Sequence, residues 1–162
     1  MKAIVYERYG GPEVVEVRDV PDPTPREREV LVRVRATTVE SGDARLRALR
    51  VPRGFGVPVR LAVGVSRPRR KVLGLAFAGE VVRAGAGVTK LRVGDEIFGL
   101  VGIGLGCHAE LRTLREDAAT AHKPPSLSWE DAAALPFGGH TVLDFFRRGP
   151  VRRGERVLVV GA

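Results

Sequence analysis

The sequence has one cysteine, one methionine and one tryptophan, only 6% aromatic residues, and 19 acidic residues against 27 lysines and arginines. Each shortage removes a class of explanation. A lone Cys107 allows no intrachain disulfide and no multi-cysteine zinc site. No apolar run approaches the ~18 residues of a membrane span. The opening segment MKAIVYERYGG alternates and carries a glutamate early, so it lacks the basic, apolar, small-residue order of a secretory leader. A cytoplasmic location is the default expectation. The shortage of acid leaves a formal net charge of +8, which raises nucleic acid as a partner. The arginines are scattered, however, and the one dense run, RPRRK from Arg67 to Lys71, has no stacking aromatics among them. That run is expected to be a solvated loop.

What is present is the composition of a soluble globular protein, 44% hydrophobic and 28% charged in 162 residues, enough for one domain or one domain and part of a second. KAIVY (Lys2 to Tyr6) and VVEVRDV (Val14 to Val20) flank the turn signal GGPE and predict an antiparallel hairpin. In EVLVRVRATTV, Val30, Val32, Val34 and Ala36 fall on one face and Leu31, Arg33 and Arg35 on the other, as in a half-buried strand. ESGDARLRALR, Glu40 to Arg50, predicts a short helix entered through small polar residues. From Val51 to Lys71 the periodicity is lost and an exposed connection is expected. Strands resume in VLGLAFAGEVVRAG and EIFGL, with β character ending near CHAELRTL. Short strands spaced ~8–12 residues apart point to a barrel or sandwich.

The text then changes. SLSWEDAAALP predicts a helix capped by Ser128 and terminated by Pro136, and a second helix follows with Val142, Phe145 and Phe146 at i, i+3 and i+4 and Gly149 as its stop. RVLVV, Arg156 to Val160, has the unbroken apolar run of a buried strand.

In order and spacing, MKAIVYERYGGPEVVEV, ATTVESGDARLR, LGLAFAGEVVRAGAGVTKLRVGDEIFGL, CHAEL, HKPPSLSWEDAAALPFGGHTV and VRRGERVLVVGA resemble the amino-terminal half of a medium-chain dehydrogenase/reductase of the zinc-free quinone oxidoreductase (zeta-crystallin-like) branch. The resemblance implies a mainly β fold with short helices: a partly open GroES-like β-barrel over residues 1–125, the catalytic and substrate domain. Residues 126–162 would then be connecting helices and the first strand of an incomplete Rossmann α/β domain. It also implies no zinc. Where zinc alcohol dehydrogenases carry their catalytic ligands, this chain has Glu40, Leu75-Ala76 and Phe137, which cannot supply the three or so N, S or O ligands that a catalytic zinc takes.

The same resemblance singles out four residues. Glu40 and Asp43 lie in the loop that shapes the catalytic cleft, with Glu40 in place of the branch's asparagine. A carboxylate there donates a hydrogen bond to a quinone or enone oxygen only when protonated. Asp43 and Arg47, at i and i+4, read equally as a helix-face ion pair worth ~0.3–0.5 kcal/mol or as groups at the active-site mouth. Thr141 matches the residue beside the nicotinamide, or else simply helps begin a helix. Gly161 starts the phosphate-binding turn. His140 and the Cys107-His108 pair read as structural, because nucleophilic catalysis needs a base held by a third group.

The implied activity is NADPH-dependent reduction of small-molecule quinones or α,β-unsaturated carbonyls by hydride transfer, in the complete protein as a monomer or homo-oligomer. The 162-residue chain by itself is expected to be inactive and to bind no NADPH. Two other readings remain open, a truncated non-enzymatic barrel serving as a binding or assembly module through its sheet edge, and a basic nucleic-acid-binding β domain.

Overall fold

In the computed structural model, which describes residues 1–149 and 151–158, the first hairpin forms as its alternation demands. Strand β1 (Lys2–Tyr6) pairs antiparallel with β2 (Val15–Asp19), placing Ala3, Val5 and Tyr6 inside. A second, five-stranded sheet holds β3 (Glu29–Thr37), β4 (Ala76–Ala84), β5 (Glu96–Leu100), β6 (Leu111–Arg115) and β7 (Thr120–His122), in the order β6-β3-β4-β5-β7. All of these pairings are antiparallel. Isolated bridges, Ala3 to Ala109 and Val5 to Val72, join the two sheets. The mainly β fold with short helices is thus as expected, and among the described residues the sheets stay open, with β6 and β7 as edges.

The central strand β4 explains the layering. On one side Phe77 and Val81 meet Val30 and Val32 of β3, Ile97 of β5, Leu91, Cys107 and Leu114 in the main core. On the other side Ala78 meets Ala132 and Ala133, where methyl-sized side chains let a helix lie close on the sheet. That helix is α3 (Trp129–Arg148), the third after α1 (Ser41–Arg47) and α2 (Gly56–Val63).

Four expectations need correction. Residues 51–71 contain α2, whose apolar Val57 and Leu61 are exposed, so no amphipathic pattern marked it. The β text does not end at CHAELRTL, which carries most of β6, but continues into β7. Pro136 does not end a helix: α3 runs through it as one element of 20 residues. Proline removes only its own N–H, here the bond to the Ala132 carbonyl, and the turn before it is already held by Ser128, whose Oγ accepts from the Asp131 N–H at 3.0 Å, and by Ala132 and Ala133 against the sheet. Finally, Arg156, Val157 and Leu158 form no strand and are exposed. A run of apolar residues becomes a strand only with a neighbour to pair with, and the rest of that segment, Gly161 included, lies outside the described residues.

Lys123 fixes the passage from β7 into α3. Its Nζ pairs with Glu96 at 3.0 Å, donates to the Leu127 carbonyl at 3.0 Å and sits 4.8 Å from the Trp129 ring centre. Beyond His140, Val142, Leu143, Phe145 and Phe146 of α3 stand exposed.

Candidate active site

At the end of β3 the chain turns into α1, and the turn is closed by side chains. Glu40 is the residue before the helix, and its backbone N–H donates to Asp43 Oδ2 at 3.0 Å, half of a capping arrangement. The other oxygen of Asp43 accepts from the Gly74 N–H at 3.1 Å, just before β4. Gly74 has φ of +104°, and a Cβ there would come within 2.5 Å of the His108 nitrogen, so only glycine fits between the two segments. His108 N–H donates to the Leu73 carbonyl at 2.9 Å. Its ring Nε2 lies 3.0 Å from the Thr38 carbonyl; a carbonyl only accepts, so Nε2 carries the proton. Thr38 Oγ1 in turn donates to Glu40 Oε1 at 2.9 Å. The result is a closed ring, Thr38, Glu40, Asp43, Gly74 with its neighbour Leu73, His108 and back to Thr38, drawn from three segments far apart in sequence.

Within this ring the two acids differ. Asp43 is 2% exposed and both oxygens accept from backbone N–H groups, which leaves it a positioning group. Glu40 is half-buried, and its Oε2 is enclosed with no partner. An enclosed oxygen without a partner is costly, and it is the unspent polar atom of the site. The expected Asp43–Arg47 ion pair is absent: Arg47 Nε reaches instead toward the Gly10 carbonyl, at 3.4 Å. The physical reason is that two backbone N–H groups claim the carboxylate from the opposite direction.

Leu75, buried, packs against Gly42 of α1. Phe137 lies half exposed on α3. Among the described residues no three His, Cys, Asp or Glu side chains come together as a metal site. Cys107 is wholly buried, and burial pushes its thiol up to about 12. Both it and His108 are part of the framework.

Thr141 does not begin a helix. It lies in the second half of α3, exposed, with Oγ1 donating to the Phe137 carbonyl four residues back at 3.0 Å. No hydrogen bond joins it to the Glu40 ring. Glu40 and Asp43 are therefore brought together, Thr141 stands apart on α3, and Gly161 is outside the described residues. The members of the ring that sequence reasoning did not assemble are Thr38, Gly74 and His108. Only a glycine directly before a buried strand hinted at the second of them.

Known proteins share this arrangement of elements. Residues 26–125 match the model of the alcohol dehydrogenase GroES-like domain. A quinone oxidoreductase of Pseudomonas aeruginosa is 35% identical over 158 residues, 97% of this chain and 44% of that protein. The structure of the quinone oxidoreductase from Coxiella burnetii superposes with a TM-score of 0.80 at 30% identity, covering 96% of this chain and 47% of that one. The Escherichia coli quinone oxidoreductase complexed with NADPH gives 0.74 at 26% identity, covering 91% and 41%. The chain thus spans less than half the length of these proteins.

Proposed function

Because this chain belongs to the alcohol dehydrogenase GroES-like family, in the quinone oxidoreductase-like branch of the medium-chain dehydrogenases/reductases, we propose that it supplies the substrate side of a zinc-independent, NADPH-dependent oxidoreductase acting on quinones or α,β-unsaturated carbonyls. The observation that carries this reading is the enclosed, unpartnered Oε2 of Glu40 at the entry to α1. NADPH, when bound, supplies the hydride. Glu40, in its protonated form, presents Oε2 to the acceptor's oxygen while Oε1 stays with the Thr38 hydroxyl. Asp43 acts as a positioning residue that fixes the Glu40 backbone. The proton of Thr141 Oγ1 is committed to Phe137, so its oxygen is left to accept from a ligand.

Residues 1–125 form the substrate domain in this reading, and 126–162 lead into the cofactor domain. The described strands are all antiparallel, whereas a dinucleotide cradle is built on a parallel strand with a glycine-rich turn and helix. The described residues thus fit one wall of a cofactor cleft, not a cradle, and the 162-residue chain is proposed to bind no NADPH alone. Leu75, Ala76 and Phe137 bring no donor atoms for zinc, so the donor set does not fit that metal either.

The test is steady-state NADPH oxidation by the complete gene product, with a benzoquinone or an enone as acceptor. Turnover that survives a chelator and falls about 10- to 1,000-fold in kcat for Glu40→Gln supports the proposal. No turnover with either acceptor class, or activity abolished by the chelator, refutes it.

A further inference from the structure

Arg112 occupies a place in the sheet where an arginine is out of character. It lies opposite Val32, and Leu114 lies opposite Val30. Residues two apart on a strand share a face, and here that face is the core, where Val30, Val32 and Cys107 have no exposed surface. The Nε of Arg112 is shut off from solvent and has no hydrogen-bond partner. The carboxylates nearest in sequence are committed elsewhere, Glu110 to the Lys2 N–H, Glu116 to Arg28 and Asp117 to Arg115, each at 2.8 Å. Burial lowers the guanidinium's pKa, the mark of a cation short of compensation.

The surrounding backbone is shaped to admit this side chain. Gly106, at φ +95°, has no room for a Cβ because Arg112 Nη1 is there, and a Cβ on Gly104 would lie 3.4 Å from Nη2. Arg112 then reaches two adjoining cavities. The smaller, about 290 Å³, has Arg69, Arg70, Lys71 and Arg112 on its walls and no acidic side chain. The larger, about 800 Å³, shares Arg70, Gly104, Arg112 and Thr113 with it, has Leu100, Val101 and Leu114 among its apolar lining, and carries the carboxylates of Glu29, which accepts from the Arg26 N–H, and Asp117, which pairs with Arg115. Of the four cations, Lys71 pairs with Glu7 at 2.9 Å, while Arg70 and Arg112 make no ion pair among the described residues. The basic residues of the RPRRK run are exposed, as expected of a solvated loop, and its last three residues also wall the smaller cavity.

We propose that the junction of these cavities is an oxyanion site, in which Arg112 and Arg70 bind the phosphate group of a small phosphorylated ligand and Thr113 lies beside them. A guanidinium fork offers paired N–H donors to the oxygens of a tetrahedral anion, and two line this junction. The apolar walls of the larger chamber take the organic part of the ligand. This site uses neither Glu40 nor Thr141, so it stands or falls apart from the hydride-transfer reading.

The probes are inorganic phosphate and glycerol phosphate, titrated calorimetrically into the 162-residue chain at fixed ionic strength. Saturable binding is expected for both, weakened about tenfold or more in Arg112→Met and Arg70→Ala. Arg53→Ala, an exposed arginine outside both cavities, is expected to bind like the wild type. A second measurement needs no variant: phosphate should protect Arg112 and Arg70, and not Arg53, from an arginine-specific dicarbonyl reagent, mapped by mass spectrometry. Absence of saturable binding by the wild type, equal weakening in Arg53→Ala, or modification of Arg112 unaffected by phosphate would each overturn the proposal.

Discussion

Replacing Asp43 by asparagine separates the observed ring from the ion pair that sequence spacing suggested. In the ring, the carboxylate accepts from the N–H groups of Glu40 and Gly74 at 3.0 and 3.1 Å inside a site that is 2% exposed. An amide keeps one acceptor oxygen and turns an NH2 toward the other N–H. A hydrogen bond to a charged acceptor is worth about 1.5–3 kcal/mol, and stranding a buried donor costs about 1–3 kcal/mol, so Asp43→Asn should destabilise the chain by about 3 kcal/mol. At about 2–4 °C per kcal/mol for a domain of this size, Tm should fall by about 6–12 °C. Arg47→Ala removes only a long contact to the Gly10 carbonyl and should cost about 0.5 kcal/mol. Urea unfolding of both single variants and the double variant gives the coupling directly. The ring predicts a coupling within about 0.5 kcal/mol of zero. An Asp43→Asn variant within about 0.5 kcal/mol of wild type, or a large coupling to Arg47, would refute the reasoning.

Three further outcomes follow from the same structure. Gly74→Ala forces a side chain into a positive-φ position against the His108 nitrogen and should cost about 2–4 kcal/mol by urea unfolding. Stability against pH should fall at both ends. Glu116 is held down to about 2, first by the Thr89 N–H and then by Arg28, so its stabilisation is present above its ordinary pKa of 4.5 and is lost as pH falls through about 2. Cys107 is raised to about 12 by burial, so its share is complete below its ordinary pKa of 9.0 and is lost as pH rises toward 12. Thermal melts across pH should show Glu116→Gln flattening only the acid limb, and an unchanged acid limb would contradict the assignment. Arg112→Met, which removes an uncompensated charge from a core-facing position, should leave the anion-free chain at least as stable as wild type, within about 1 kcal/mol or above it, by urea unfolding in phosphate-free buffer.

Strands β1, β3 and β5 were legible because one face of each is buried and period-2 alternation survives, as in Val30, Val32 and Val34. Helix α2 was not, because its apolar residues face solvent and its entry carries glycine and Pro58. Continuation of α3 through Pro136 was hidden for another reason: the deciding contact, Ala132 and Ala133 on Ala78, joins positions more than 50 residues apart. At the site, Glu40 and Asp43 could be picked out from their loop, but the partner of Asp43 could not. Spacing along one helix offers Arg47, whereas the competing donors arrive from Gly74, across the sheet. His108 was set aside as structural, and its part in closing the ring depends on a register between β3 and the segment before β6 that no local pattern encodes.

Helix α3 can also be considered as a lever. Its seat is Ala132 and Ala133 against Ala78, with Ala36, Phe98, Leu127 and Trp129 packed around them, while Thr141 lies exposed eight residues beyond Ala133. At 1.5 Å of rise per residue the arm is about 12 Å long, so a tilt of about 10° at the seat would carry Thr141 some ~2 Å sideways. A larger side chain at Ala133, which has no exposed surface, has to be accommodated by shifts of this kind. The smallest side chains in the core thus set the aim of a hydroxyl they never contact, and tolerance to substitution at Ala132 and Ala133 should be tighter than their size suggests.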